Sequence, residues 1–277
     1  MLEGEIWVHN GIAYIVKGFQ HPEGWLIAFP RYDLHGPRRI DEWLVDKYIN
    51  IIRWECLKLN VPVIPLSSSH PLQARLAGVS EWIARYLSSI LGVSERDIYA
   101  SGSSRITLDY RDVDLVVYGV REDLVWDLKK LVEKGVLKRA GKWALINEYA
   151  SKHSRRLTLS DYLFFKRNTI LHLDILGFHV NLRLVAYTAG IQGCLDPVVE
   201  ASSYNGVVRI NEPLMIHITP SRYSARLDNG VNVILETFRE VYSELEPGEY
   251  VVRQGRLEAR GSGLYLVPDH GVLSTLR

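Results

Sequence analysis

The sequence predicts an α+β protein in which a core of mixed sheet and helices is flanked by β-rich modules at both ends. Apolar residues recur at helical spacing from about Pro71 to Leu91, and the apolar run Val113–Tyr118 is typical of a strand buried on both faces. Short apolar runs between turn residues are frequent near both ends of the chain. We therefore expect an amino-terminal module over residues 1–66, a core over residues 67–189 and a carboxy-terminal module over residues 190–277.

The composition is that of a globular protein with balanced charge. Its 277 residues include 33 Lys and Arg and 32 Asp and Glu, a net charge of +1, which excludes proteins that bind nucleic acid through bulk positive charge. Cys56 and Cys194 are too few for a disulfide framework or a cysteine zinc site, which favours a reducing compartment. The chain shows no secretory-signal pattern and no apolar stretch of about 18 residues. We therefore expect a soluble cytoplasmic protein without a membrane partner.

The amino-terminal module is expected to combine a small meander with one helix. The predicted strands, separated by turn residues, are Glu5–Val8, Ile12–Val16 and Trp25–Phe29. A helix is predicted from about Asp41, a suitable N-cap, to Leu59, because apolar residues recur three or four positions apart in this segment. Such a small meander needs a partner surface to be stable.

The remaining elements alternate between helical and extended patterns. Further helices are predicted over about Arg121–Lys134, Trp143–Lys152 and Leu159–Arg167. A hairpin is predicted to join Thr169–Leu176 to Phe178–Val185 around Gly177. The carboxy-terminal module is expected to consist of short strands with one helix over about Val231–Leu245.

The segment with the clearest chemical pattern contains two aspartates. Asp112 and Asp114 are two positions apart at the start of the strand Val113–Tyr118, so their side chains point to the same face. Two such carboxylates repel each other unless a cation lies between them. Oxygen ligands select hard ions, so this pair predicts a site for Mg²⁺ or Mn²⁺.

A glycine and two serines precede this pair by about ten residues. Gly102 has no Cβ and lets a backbone approach a phosphate closely. Backbone N–H groups near Ser103 and Ser104, together with the Ser103 hydroxyl, could donate to phosphate oxygens. A phosphate cradle followed by a metal-binding carboxylate pair favours phosphoryl transfer.

Gly102-Ser103 followed by Asp112-Val113-Asp114 resembles the signature of the DNA polymerase beta-like nucleotidyltransferase superfamily. The stretches Val16–Pro22 and Ile27–Tyr32 are similar to the front end of archaeal-type predicted nucleotidyltransferases in that superfamily. The superfamily resemblance covers about residues 71–186 and implies a nucleotidyltransferase core. It also implies a third carboxylate on a later strand, for which Asp174 is the best candidate.

The resemblance implies Mg²⁺-dependent transfer of a nucleoside monophosphate from a nucleoside triphosphate to a hydroxyl group. In the two-metal mechanism of this superfamily, Asp112 and Asp114 would bridge both ions, and Asp174 would bind the catalytic one. Gly102 and Ser103 would hold the β- and γ-phosphates. The acceptor, which could be RNA, DNA, a protein or a small molecule, is not identified. Arg111 stands where the family often has serine, and it could contact the triphosphate or be a solvated surface charge.

Several alternatives stay open at this point. Asp174 could instead cap a turn or pair with Arg183 across the hairpin, and His172 on the same strand has the ordinary interpretation of a structural histidine. His179, Asn181 and Arg183 alternate with apolar residues, which is typical of a half-exposed strand. The alternative function is a non-catalytic protein that binds nucleotide or nucleic acid and retains the nucleotidyltransferase fold.

Overall fold

The computed structural model describes residues 1–36, 38–72, 78–106 and 112–276. In chain order the strands are β1 (Ile6–His9), β2 (Ile12–Val16), β3 (Gln20–His21), β4 (Trp25–Asp33), β5 (Arg38–Arg39), β6 (Asn50–Trp54), β7 (Leu59–Pro65), β8 (His70–Pro71), β9 (Ile98–Ser101), β10 (Asp112–Tyr118), β11 (Lys138–Arg139), β12 (His172–Ile175), β13 (Phe178–Val185), β14 (Ile191–Gln192), β15 (Val198–Met215), β16 (Ile218–Thr219), β17 (Ser221–Leu227), β18 (Asn232–Thr237), β19 (Gly248–Arg260), β20 (Gly263–Val267) and β21 (Val272–Thr275). The helices are α1 (Val79–Leu91), α2 (Glu122–Glu133), α3 (Lys142–Glu148) and α4 (Leu159–Phe165). Short 3-10 turns and one π turn connect them, including Ser103–Arg105, Tyr149–His153 and Glu240–Tyr242.

The predicted fold class, an α+β nucleotidyltransferase core of mixed sheet and helices with β-rich flanks, is wrong. Strands account for 45% of the protein and helices for 25%, and the strands form several sheets. Two segments that were expected to be helical contribute to this difference. Within 41–59 the chain forms a short 3-10 turn and then strand β6, and within 231–245 it forms strand β18.

The chain divides into two compact units. The first unit comprises residues 1–119 and 187–197, and the second comprises residues 120–186 and 198–277. The contacts therefore join the amino-terminal strands to β9 and β10 in one unit. The division into modules at residues 66 and 189 stays a prediction.

An antiparallel sheet forms most of the first unit. Its strand order is β6-β7-β4-β2-β1-β8, with β5 paired to β4. Most apolar residues of β1, β2 and β4 are buried, and Ile6, Ala13 and Tyr32 pack with Tyr99 and Ile106 of the β9 region. The meander thus obtains the partner surface that so small a sheet requires.

A disulfide bond between Cys56 and Cys194 links the turn after β6 to the segment after β14 in the first unit. This bond was not predicted from the sequence, and it does not fit the reducing compartment that the low cysteine count favoured. A pair of this kind closes a long loop, since the two residues are 138 positions apart.

A closed ring of strands forms the carboxy-terminal part of the second unit. The pairings run β15-β17-β18-β20-β19 and return to β15, with β18 and β20 parallel and the other pairs antiparallel. Closure leaves no free edge in the ring, and the order is that of small Greek-key barrels such as the OB fold. Its core contains Tyr223, Leu235, Val252 and Leu266, all fully buried.

The rest of the second unit contains the predicted hairpin and three helices. β12 pairs with β13 around Gly177, and β11 adds to β12. α2, α3 and α4 confirm the helices predicted over about 121–134, 143–152 and 159–167. Within the described residues, no helix combines the length and apolar composition that a membrane crossing demands.

Candidate functional site

The two aspartates of the predicted metal pair lie at the start of β10 in the first unit. Asp112 and Asp114 are both half-buried, and Asp114 is paired in register with Ser101 of the antiparallel strand β9. Because the two residues are two positions apart on one strand, their side chains share a face. The structure thus brings the carboxylate pair next to the Gly-Ser turn that follows β9.

Gly102 lies directly against one of these carboxylates. Its backbone angles, φ +67° and ψ −153°, belong to a region that essentially only glycine adopts. A Cβ at this position would collide with Asp114 Oδ2 and would lie 3.2 Å from Asp114 Cγ. The Asp114 carboxylate therefore packs directly against the Gly102 backbone, in the position that a side chain of residue 102 would need.

The serines of the turn have different surroundings. Ser103 is half-exposed at the start of the 3-10 turn Ser103–Arg105. The Ser104 hydroxyl donates to the backbone oxygen of Ser101 at 3.2 Å, which commits its proton to the turn. Ser103 is therefore the better placed of the two to donate to a ligand. Arg111 lies outside the described residues.

One arginine of the amino-terminal sheet lies close enough to the aspartate pair to interact with it. Arg39 on β5 interacts electrostatically with Arg31, Asp112 and Asp114. Burial and Arg31 lower the pKa of Arg39 below its usual value, and the two aspartates offset only part of that shift. Tyr32, which is paired with Arg39 in register, lies close enough to Asp114 for the aspartate charge to raise the pKa of its hydroxyl. Sequence reasoning missed these residues because only the fold shows that β4 and β5 lie beside β10 in one unit.

Arg105 has a structural role in the same region. Its guanidinium lies over the Tyr99 ring, 4.0 Å from the ring centre, and donates to the backbone oxygen of Leu72 at 3.0 Å. The Tyr99 hydroxyl in turn accepts from the Ile6 N–H. These contacts join the meander to β9 and hold the Gly-Ser turn in place.

Asp174 belongs to the second unit and caps the turn of the hairpin. Its Oδ1 atom accepts a hydrogen bond of 2.8 Å from the N–H of Gly177, and the residue is exposed. The turn-capping role is therefore present in the structure. The role of Asp174 as a third metal-binding carboxylate stays a prediction.

A second group of ionisable residues lies inside the second unit. His172 is buried between two carboxylates: its Nδ1 is 2.9 Å from Glu148 Oε2 and its Nε2 is 2.9 Å from Glu240 Oε1. His172 therefore forms a close ion pair with each carboxylate. The fully buried Lys166 pairs with Glu244 at 3.2 Å.

Burial and opposite charges compete in this group. Burial and Lys166 act to lower the pKa of His172, but the two carboxylates outweigh them and raise it to about 9. Burial acts to raise the pKa of Glu148 and Glu240, yet His172 and Lys166 hold both below the usual range of a glutamate. Sequence reasoning missed Glu148 and Glu240 because nothing in either segment indicates that its glutamate lies against His172 in the fold.

No protein-family model, curated protein or solved structure matches this chain. Its function must therefore be inferred from the residues and their geometry.

Proposed function

We propose that the protein is a nucleotidyltransferase that uses Mg²⁺ or Mn²⁺ to move a nucleoside monophosphate from a nucleoside triphosphate to an acceptor hydroxyl. The observation that supports this proposal best is the contact between the Gly102 backbone and the Asp114 carboxylate. It brings a backbone turn that only glycine can form next to oxygen ligands for a hard cation. The proposal rests on this local arrangement and does not depend on the predicted fold class.

The donor set fits a hard divalent ion. Asp112 and Asp114 supply carboxylate oxygens from one face of the strand. Because both are half-buried, salt in the solvent weakens their attraction to a bound ion less than it would for fully exposed acids. A bound ion would neutralise phosphate charge and lower the pKa of the attacking hydroxyl. Gly102, which has no side chain, lets the Asp114 carboxylate lie directly against the Gly-Ser turn.

Arg31 and Arg39 give the site positive charge that a nucleoside triphosphate requires. Guanidinium groups bind phosphate oxygens through two parallel N–H donors, and they stay charged at any working pH. Arg39 interacts electrostatically with both aspartates, and Arg31 is close enough to interact with Arg39. We assign Arg31 and Arg39 to the binding of phosphate and Asp112 and Asp114 to the binding of metal.

The test measures transfer of label from nucleoside triphosphates. The protein is incubated with each α-labelled triphosphate, Mg²⁺ and a cell extract that supplies RNA, DNA, proteins and small molecules as acceptors. We expect one class of acceptor to become labelled by the wild type and by Asp46→Asn, a control that removes an exposed carboxylate of the same unit. We expect no labelling by the double variant Asp112→Asn with Asp114→Asn.

Two other outcomes would contradict the proposal. Equal labelling by the double variant would show that these acids are not part of the site. Binding of the triphosphate without any labelled acceptor would instead support a non-catalytic nucleotide-binding protein.

A further inference from the structure

Three side chains with metal-binding atoms meet inside the second unit. Glu148 ends α3, His172 lies on β12 and His179 lies on β13. Their possible ligand atoms all lie within 4.8 Å of one another. The side chains of Glu148, His172 and His179 are 6%, 1% and 14% exposed, so the group lies below the surface and is most accessible at His179.

The spacing of these atoms is close to that around a tetrahedral ion. Zn²⁺ binds nitrogen and oxygen at about 2.0–2.2 Å, which separates two ligand atoms by about 3.3–3.4 Å. Glu148 Oε2 lies 2.9 Å from His172 Nδ1 and 3.9 Å from His179 Nε2, so the two distances bracket that value. Small rotations of the side chains would bring all three atoms to bonding distance of one ion.

Outer residues hold two of these side chains in the orientation that a metal site needs. Glu240 Oε1 lies 2.9 Å from His172 Nε2, the ring nitrogen that faces away from Glu148. The Tyr162 hydroxyl donates to Glu148 Oε2 at 3.0 Å. Metal-binding histidines commonly have a carboxylate on their second nitrogen, and this arrangement matches that pattern.

The buried carboxylates of this group already have positive partners. Lys166 pairs with Glu244, His172 lies 2.9 Å from both Glu148 and Glu240, and Lys152 lies 3.6 Å from Glu148. A histidine that binds a metal ion must be neutral, so binding would release the proton of His172. A divalent ion between Glu148 and the two histidines would then replace the positive charge that protonated His172 supplies.

We propose that Glu148, His172 and His179 form a binding site for a divalent transition-metal ion of the Zn²⁺ class. Two imidazole nitrogens and one carboxylate oxygen favour zinc over magnesium, so this site differs in chemistry from the aspartate pair of the first unit. Three protein ligands leave a further position on the ion for water or a substrate group.

The test is a titration of chelator-treated full-length protein with Zn²⁺ against a chromophoric competitor, in the presence of excess Mg²⁺. We expect one equivalent of Zn²⁺ to bind to the wild type and to His70→Gln, which changes an exposed histidine of the first unit. His179→Gln alters the most exposed of the three ligands and should weaken binding by at least about 100-fold. Glu240→Gln, which changes only the outer carboxylate, should weaken it by about 10- to 100-fold.

Other outcomes would overturn the proposal. Absence of a stoichiometric Zn²⁺ site in the wild type would show that the group is an ion-pair network only, and equal affinity in His179→Gln would place the ion elsewhere. Far-ultraviolet circular dichroism of each variant establishes that it is folded before the titration. Unchanged zinc binding by Asp112→Asn with Asp114→Asn is expected, so this test is independent of the nucleotidyltransferase proposal.

Discussion

Replacing Gly102 with alanine tests the contact on which the proposed site depends. The backbone angles of Gly102 place an alanine in a strained region, which costs about 1–3 kcal/mol of unfolding free energy. The new Cβ would also collide with Asp114 Oδ2, so the carboxylate must move. We therefore expect Gly102→Ala to lower the free energy of unfolding by the cost of the backbone strain and, in addition, by the cost of displacing Asp114.

A double-mutant cycle separates the two contributions. In Asp114→Ala the carboxylate is gone and only its Cβ, 3.3 Å from the new methyl group, remains. Gly102→Ala should then cost the backbone strain alone, about 1–3 kcal/mol. The difference between the two backgrounds is the coupling energy, which we expect to be about 1–2 kcal/mol, within the range for residues in contact.

Urea unfolding followed by tryptophan fluorescence measures the four free energies. Gly92→Ala is the matched control, because Gly92 also has a φ of +67° and an added Cβ there meets nothing within 4 Å. Gly92→Ala should lower the free energy of unfolding by a similar amount in the wild type and in Asp114→Ala. Coupling between Gly102 and Asp114 below about 0.3 kcal/mol would refute the contact, since independent sites add within that limit.

Three further predictions concern other parts of the chain. His21 is fully buried, and burial lowers its pKa to about 4, against 6.5 in the unfolded chain. The protonation of His21 should therefore lower the free energy of unfolding by about 3 kcal/mol as the pH drops from 6.5 to 4. Urea unfolding at several pH values measures this loss, and an equally steep pH dependence in His21→Gln would contradict it. Reduction of the Cys56–Cys194 disulfide should lower the free energy of unfolding by about 2–5 kcal/mol, measured by urea unfolding with and without reductant; unchanged stability would contradict it. Asp174→Asn keeps an acceptor for the Gly177 N–H and should leave the melting temperature within about 1 °C of the wild type. If Asp174 also binds the metal ion, the same variant should lose labelling of the acceptor by the nucleoside triphosphate. Full labelling by Asp174→Asn would refute the metal-binding role.

The local elements with strong periodicity could be predicted from the sequence. Helix α2 has an apolar stripe three or four residues apart, and the hairpin of β12 and β13 has a glycine of positive φ at its turn. The segment 231–245 was wrongly predicted to be helical; its apolar residues three or four positions apart are typical of a helix, and they include Val231, Leu235, Phe238 and Tyr242. The alternation of Val233, Leu235 and Thr237, all buried, was the stronger signal, and it reflects the period of a strand in a barrel wall.

The candidate sites depended more on tertiary structure. The aspartate pair and Gly102 were found because one segment contains them, whereas Arg39 approaches them only after β5 joins the sheet of the first unit. The polar face of β13 was expected to be half-exposed. The structure buries Asn181 and largely buries His179, and no pattern within β13 itself indicates Glu148 as the partner of His179.

Calorimetric titration with a non-hydrolysable nucleoside triphosphate, with and without Mg²⁺, tests the central claim most directly. We expect Mg²⁺ to tighten binding at least about tenfold, or 1.4 kcal/mol, in the wild type and in Asp46→Asn. The double variant Asp112→Asn with Asp114→Asn should bind equally with and without Mg²⁺. The same Mg²⁺ enhancement in the double variant would contradict the assignment of these two aspartates to a metal-dependent nucleotide site.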